Sequence, residues 1–154
     1  GPVYMRFARL ASAVFHDDNY QFEIGKAEVI REGTDVSIIA CGLMVSEAMD
    51  AAEVLKEKGI SAEVINMATI KPLDADCVLT TAKKTGKIIT VEEHSIIGGL
   101  GEAVSALLSE KCPTPVKRIG VNDEFGHSGP GGELLKQFGL SSENIVKIAE
   151  EFVK

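Results

Sequence analysis

The sequence predicts an α/β fold: a three-layer αβα sandwich built on a mostly parallel sheet of about five strands, with one antiparallel strand at an edge. Short β-branched runs alternate with helical stripes from residue 35 onward. One of these runs, residues 35–41, is apolar enough to be covered on both faces, as parallel strands are. Glycines follow several of the helical stripes, where helices commonly end. Strands that alternate with helices indicate parallel pairing with right-handed crossovers.

The first strands are predicted near the start of this alternating region. Residues 25–31 alternate weakly and end at Glu32-Gly33, a turn signal, so we interpret them as the antiparallel edge strand. Residues 35–41 predict the next strand, and we expect the two strands to form a hairpin across residues 32–34. A helical stripe follows and ends at Gly59.

The central elements follow the same alternation. Residues 62–67 form an apolar run short enough to be a strand. Pro72 precedes a helix that Asp74 is expected to cap, and Gly86 ends that helix. Residues 87–91 are a β-branched run that predicts a further buried strand.

Three glycines come between this strand and the next helix. Gly98, Gly99 and Gly101 precede a stripe with helical spacing, and amides at such a helix start can hold an anion. A dinucleotide fingerprint counted from Gly99 fails, because its sixth position is Val104, where glycine or alanine is needed for close packing. We therefore interpret the glycines as a structural turn.

A polar corner, Glu92, Glu93 and His94, stands where the strand is expected to end. A histidine beside carboxylates titrates near neutrality, which suggests an acid/base set. Adjacent residues on an extended chain point to opposite faces, however, so the three side chains do not all converge on one substrate. We therefore predict an interface or rim role for them.

The last part of the chain predicts one more strand and two helices. Residues 116–121 form the strand, and residues 122–132 form a polar loop that contains His127. A short helix over residues 133–138 ends at Gly139. The final amphipathic helix is expected to be capped by Ser141 or Ser142.

Composition excludes several classes of protein. The net charge is 16 − 23 = −7, and there is no basic stripe, which argues against nucleic acid and anionic membranes as main partners. No apolar run reaches the length of a membrane span, and the first ten residues, which lack an apolar core, are not expected to be a signal peptide. The odd count of three cysteines and the wide separation of the three histidines indicate neither a disulfide framework nor a metal site. A reducing, cytoplasmic setting is expected.

Four motifs in order resemble the carboxyl-terminal domain of transketolase and its thiamine-diphosphate-dependent relatives. Residues 65–74, INMATIKPLD, are similar to a family strand-to-helix turn, and residues 90–103, TVEEHSIIGGLGEA, to a second hallmark. Residues 118–129, RIGVNDEFGHSG, are similar to a third, and residues 133–140 to the family tail. The start of the chain, GPVYMRFAR, resembles the last strand of the preceding pyrimidine-binding domain.

The resemblance implies both a domain division and an activity. Residues 1–22 correspond to that last strand plus a linker, and residues 23–154 to the transketolase carboxyl-terminal domain. The implied reaction is two-carbon ketol transfer between sugar phosphates, with thiamine diphosphate and Mg²⁺ in the complete enzyme. The family binds this cofactor in other domains, through a Gly-Asp-Gly motif that this chain lacks. The chain alone is therefore expected to be inactive, to bind no cofactor and to contribute no catalytic residue. The complete enzyme is expected to be a homodimer that includes an N-terminal cofactor-binding domain or subunit.

The resemblance also assigns one substrate contact. Arg9 matches a family arginine that binds the sugar phosphate at the mouth of the active-site channel, and a guanidinium suits phosphate by charge and geometry. Arg6 is the weaker candidate. Ala68 and His127 depart from the family pattern, so His127 is assigned only to the rim.

Two other hypotheses remain at this point. The first is a related thiamine enzyme, either a deoxyxylulose-phosphate synthase or a 2-oxoacid dehydrogenase β subunit. The second is a free-standing module that binds an anion at the helix start formed by residues 98–101.

Overall fold

A five-stranded mixed sheet forms the middle layer of the computed structural model, which describes residues 1–154. The strand order is β1-β3-β2-β4-β5. Only the β1–β3 pair is antiparallel, and the other three pairs are parallel. The predicted fold class is confirmed, including the antiparallel edge strand. The elements are β1 (Glu28–Arg31), β2 (Val36–Ala40), α1 (Met44–Glu57), β3 (Ala62–Asn66), α2 (Ala75–Thr85), β4 (Ile88–Ser95), α3 (Leu100–Lys111), β5 (Val116–Val121), α4 (Gly131–Gln137) and α5 (Ser142–Val153).

Two hydrophobic cores cover the two faces of the sheet. Alternate residues of each central strand point to opposite faces, so Ile38 belongs to one core and Ile39 to the other. The larger core lies under α1 and α5, and the smaller lies under α2 and α3. Because β2 is buried at every position, its sequence is apolar with a single exception, Ser37.

The expected hairpin between residues 25–31 and 35–41 is wrong. β2 pairs with β3 on one side and with β4 on the other, so it has no edge left for β1. β1 instead pairs with the outer edge of β3. The connection between β1 and β2 crosses the start of β3, where the amides of Thr34 and Asp35 donate to the carbonyl of Ser61 at 3.0 and 2.9 Å.

Residues 1–27 contain no helix or strand. The strand expected near the amino terminus is therefore not formed within this chain. Several of its apolar side chains are largely exposed, among them Tyr4 and Phe7. Further along, His16 contacts Glu28 of β1 at 2.5 Å and stacks on Tyr20 with 3.5 Å between ring centroids.

The turn before α2 holds the entry into β1. Asp74 caps α2 by accepting a hydrogen bond from the amide of Cys77 at 3.0 Å. Its second oxygen accepts from the amide of Ala27 at 2.9 Å, and Thr69 accepts from the amide of Gly25 at 3.0 Å. The predicted cap is confirmed, and this motif also joins the edge strand to the rest of the sheet.

A buried polar cluster, not foreseen from the sequence, links the amino ends of β2 and β3 to α2. The Glu63 carboxylate is 2% exposed and accepts hydrogen bonds from Ser37 at 2.9 Å and from Thr81. Lys84 donates to its other oxygen at 2.6 Å and also pairs with Glu32. Each carboxylate oxygen therefore has a donor, which offsets the cost of burying the charge.

A substitution at Gly33 tests whether the connection between β1 and β2 crosses directly over the start of β3. A Cβ on Gly33 would lie 2.1 Å from the Glu63 amide nitrogen and 2.2 Å from the Ala62 carbonyl carbon, both of which are backbone atoms. We expect Gly33→Ala to lower the free energy of unfolding by about 3 kcal/mol, because the backbone must shift. Gly132→Ala is the control, since nothing lies within 4 Å of its Cβ and its effect should stay within about 1 kcal/mol. Urea unfolding measures both, and equal midpoints would contradict the crossing.

A substitution at Asp74 tests whether its carboxylate joins the entry into β1 to the start of α2. Burial raises the pKa of its carboxyl, but the two N–H donors and the charge of Lys26 outweigh burial and hold the pKa below its usual value. Its contribution to stability is therefore complete above about pH 4 and lost as the pH falls through the lowered value. We expect Asp74→Asn to cost about 1–2 kcal/mol near pH 7, with a gap from the wild type that narrows below about pH 4.

The exposed Asp76 in the first turn of α2 provides the control. Asp76→Asn should change stability by less than about 0.5 kcal/mol. Unfolding midpoints measured across this pH range decide the matter, and a gap for Asp74→Asn that does not depend on pH would contradict the assignment.

Candidate functional site

The carboxyl ends of the parallel strands carry most of the residues that the sequence singled out. In open α/β sheets ligands gather at this edge. Here β4 continues to Ser95, beyond the expected end at Val91, through an irregularity in its pairing with β5. Val91 is opposite Ile119 but Ser95 is opposite Val121, so the polar corner lies in a β-bulge.

Glu92 has a different role from its two neighbours. Its side chain is 1% exposed. Its two carboxylate oxygens accept hydrogen bonds from the amides of Leu100 at 2.7 Å and Gly101 at 2.8 Å. These amides begin α3 and have no partner within the helix. A carboxylate there is further stabilised by the helix dipole. The expectation that Glu92 lies at an interface or rim is therefore corrected, because its carboxylate is enclosed within the chain.

The glycine turn allows this close contact. Gly98 has φ +77°, a conformation that favours glycine. A Cβ on Gly99 would lie 2.0 Å from an oxygen of Glu92, and one on Gly101 would lie 2.7 Å from Thr90 Oγ1. The amide of Gly98 donates to Glu102. The turn therefore brings α3 onto β4 closely enough for Glu92 to serve as its cap.

The start of α3 is thus not available as an anion site. The carboxylates of Glu92 and Glu102 already accept hydrogen bonds from the amides at this helix start, those of Gly98, Leu100 and Gly101. The hypothesis of a free-standing module that binds an anion there is overturned, because a bound anion would have to displace Glu92. The same geometry does not fit the diphosphate of a cofactor. No group of three or more His, Cys, Asp or Glu side chains is arranged to hold a metal ion.

Glu93 and His94 are more accessible than Glu92. The side chains are 33% and 49% exposed. Glu93 lies 3.7 Å from Arg6 of the amino-terminal segment. The Nδ1 of His94 donates to the carbonyl of Ser95 at 2.8 Å and lies 4.0 Å from an oxygen of Glu92. An interface or rim role for Glu93 and His94 stays a prediction.

Cys41, at the end of β2, lies among these charges. Burial raises the pKa of its thiol to about 12, with a further rise from Glu92 and Glu93 and an opposing effect of Arg6. The thiol is therefore protonated at neutral pH and is a poor nucleophile. All three cysteines are free and partly buried.

Arg9 and His127 are both exposed. Arg9 lies at a bend of the amino-terminal segment and forms no ion pair. His127 lies in the loop before α4, with its ring 5.1 Å from that of Phe138. The absence of catalytic residues from this chain stays a prediction. None of the helices has the length and apolar character required to cross a membrane.

This chain is similar to one described protein family and to subunits of known enzymes. Residues 25–145 match the family described as "Transketolase, C-terminal domain". The chain is 48% identical over 98% of its length to the 6-deoxy-6-sulfo-D-fructose transketolase subunit SqwH of a Clostridium species. It is 47% identical over 99% of its length to an apulose-4-phosphate transketolase subunit of Phocaeicola vulgatus. It spans 47% and 49% of these two relatives, about half of each.

A solved structure and a second group of enzymes match as well. The structure is described as a split-gene transketolase, inactive β4 tetramer; it is 41% identical, with a TM-score of 0.90 over 94% of this chain and 48% of that chain. A 1-deoxy-D-xylulose-5-phosphate synthase of Desulforudis audaxviator is 42% identical over 97% of this chain, which covers 24% of that enzyme.

Glu92 provides a test of the site geometry. We expect Glu92→Ala to lower the free energy of unfolding by about 2–4 kcal/mol, because two amides of α3 lose their acceptors in a buried place. Glu93→Ala is the matched control and should cost less than about 1 kcal/mol, since its ion pair is partly exposed to solvent. Acetate, which resembles the deleted group, should stabilise Glu92→Ala but not the wild type. Thermal unfolding with and without acetate measures this, and similar losses for the two variants would contradict the capping role.

Proposed function

Since this chain belongs to the transketolase C-terminal domain family, we propose that it is the carboxyl-terminal part of an enzyme that transfers a two-carbon ketol unit between sugar phosphates. The observation that carries the proposal is the match, over nearly the whole chain, to relatives that are named as transketolase subunits. In this proposal the chain contributes to assembly and to the rim of the substrate channel.

In this proposal the cofactor is bound by a partner domain or subunit and not by this chain. The family depends on thiamine diphosphate, which supplies the carbanion-stabilising chemistry. The residues of this chain do not fit that group, since Glu92 fills the start of α3 and no metal-binding cluster is formed. We infer that an N-terminal cofactor-binding domain or subunit completes the enzyme and that the assembled enzyme is a homodimer. Two relatives of which this chain covers about half are named as subunits, which supports a partner of this kind.

Arg9 is proposed to bind the anionic end of the substrate. Its side chain is exposed and forms no ion pair in the chain, so its five N–H donors are available. The names of the matched relatives refer to 6-deoxy-6-sulfo-D-fructose, apulose 4-phosphate and 1-deoxy-D-xylulose 5-phosphate, each of which carries an anionic group. A guanidinium is suited to phosphate and to other tetrahedral oxyanions.

A test of Arg9 uses the enzyme reconstituted with its cofactor-binding partner. We expect Arg9→Ala to raise the KM for a phosphorylated acceptor such as ribose 5-phosphate by about 10- to 100-fold, as expected for the loss of charge-assisted hydrogen bonds. An acceptor without phosphate should be affected much less. Arg31→Ala is the matched control, because Arg31 lies on β1 and pairs with Glu53. An unchanged KM for the phosphorylated acceptor would remove Arg9 from the proposal.

One rival activity is favoured by an observation of its own. One deoxyxylulose-phosphate synthase is 42% identical to this chain, which is close to the 48% identity of a transketolase subunit. The reconstituted enzyme separates the two. Ketol transfer between xylulose 5-phosphate and ribose 5-phosphate supports the proposal, whereas formation of 1-deoxy-D-xylulose 5-phosphate supports the rival.

A further inference from the structure

We propose that Glu93 is a positioning residue that acts through Arg6 to hold residues 6–10, the arginine segment, against the carboxyl edge of the sheet. This inference rests on the proposed function, since its purpose is to fix Arg9 at the edge where substrate would enter. Residues 6–10 include Arg9 between two points of contact with the folded domain.

The first point of contact is the ion pair between Arg6 and Glu93. The bulge in β4 separates the two adjacent carboxylates, since Glu92 is enclosed under α3 and Glu93 remains partly exposed. Glu93 is therefore the carboxylate of this corner that meets the amino-terminal segment, with 3.7 Å between Arg6 NH2 and its Oε2. Arg6 also lies close enough to Cys41, at the end of β2, to lower the pKa of its thiol against the opposing effect of burial. The guanidinium of Arg6 thus lies beside Glu93 on β4 and within electrostatic range of Cys41, which follows β2.

The second point of contact is Leu10 against the start of α4. A Cβ on Gly131 would lie 2.6 and 2.7 Å from the two methyl carbons of Leu10, so the leucine lies directly on this glycine. Leu10 is 38% exposed, whereas Tyr4 and Phe7, which come earlier in the chain, are 89% and 80% exposed. The chain bends at Arg9 and Leu10.

These two contacts lie on either side of Arg9. Arg6 is three residues before it and Leu10 is the residue after it, so the backbone of Arg9 is held between β4 and α4. A guanidinium with a fixed backbone loses less freedom when it binds an anion than one on an unattached segment. Half-exposed ion pairs are weak, so the effect expected from Glu93 alone is small in size but specific to the phosphorylated substrate.

The test measures kcat and KM of the reconstituted enzyme with acceptors that differ in the phosphate. We expect Glu93→Gln and Glu93→Arg to raise the KM for ribose 5-phosphate by about two- to five-fold and to leave kcat nearly unchanged. The KM for an unphosphorylated acceptor should not change. Glu110→Gln, which removes an exposed charge from the far end of α3, is the matched control.

Two further variants separate positioning from a general electrostatic effect. The double variant Arg6→Glu with Glu93→Arg restores the pair in reverse, and its KM should return toward the wild-type value. Failure of this rescue, with Arg6→Glu impaired, would indicate that Arg6 itself contacts the phosphate and would overturn the role of Glu93. Gly131→Ala should raise the same KM by displacing Leu10, while Gly132→Ala, which has open space around its Cβ, should not.

Hydrogen exchange provides a measure that does not depend on catalysis. In the assembled enzyme, Glu93→Arg and Gly131→Ala should speed exchange of the amides in residues 6–10. If Arg9→Ala raises the KM while the Glu93 variants change neither KM nor exchange, the positioning role is overturned and the proposed function stands. If Arg9→Ala leaves the KM unchanged, the assignment of Arg9 fails, and the positioning role fails with it.

Discussion

The carboxylate of Glu92 under the first turn of α3 is the interaction on which the functional edge of this domain depends. It satisfies two amides that otherwise have no partner, and it does so from inside the sheet. The glycine turn and the β-bulge are both needed for it, since the first removes side chains from the contact and the second turns Glu92 inward. Helix, turn and strand therefore form one unit, and a change in any of them alters the other two.

This unit explains why neighbouring residues of similar chemistry have different roles. Glu92 is structural because its charge is enclosed, whereas Glu93 and His94 remain accessible to a partner. A glycine-rich strand-to-helix turn at the edge of a parallel sheet usually suggests a phosphate site. Here the protein supplies its own anion. The same local pattern thus stabilises the fold, and the contact with an external anion is proposed for a different segment.

Much of the fold could be predicted because it depends on local patterns. The alternation of strands and helices, the Asp74 cap and the Gly86 helix end are all present in the structure. The predicted hairpin between β1 and β2 is wrong because the partner of β1 depends on which strand edge is free. That is a property of the whole sheet, and the free edge here belongs to β3. The burial of Glu92 and Glu63 was missed because a carboxylate in sequence predicts exposure, and only tertiary contacts supply its donors. Ser37 in β2 and Glu63 and Asn66 in β3 are the polar residues of two mainly apolar strands, and they are the sequence signal of buried polar contacts.

The two edge strands have a consequence for how this domain meets other proteins. β1 has only four residues and its register with β3 shifts between Val29 and Arg31, while β5 presents Lys117 and Arg118 in its middle. Short, irregular and positively charged edges are the features that prevent a sheet from recruiting a strand of another molecule. These features disfavour main-chain pairing between either edge and a strand of a neighbouring molecule. An interface at these edges would therefore depend on side chains, and single substitutions would change its specificity while leaving the sheet intact.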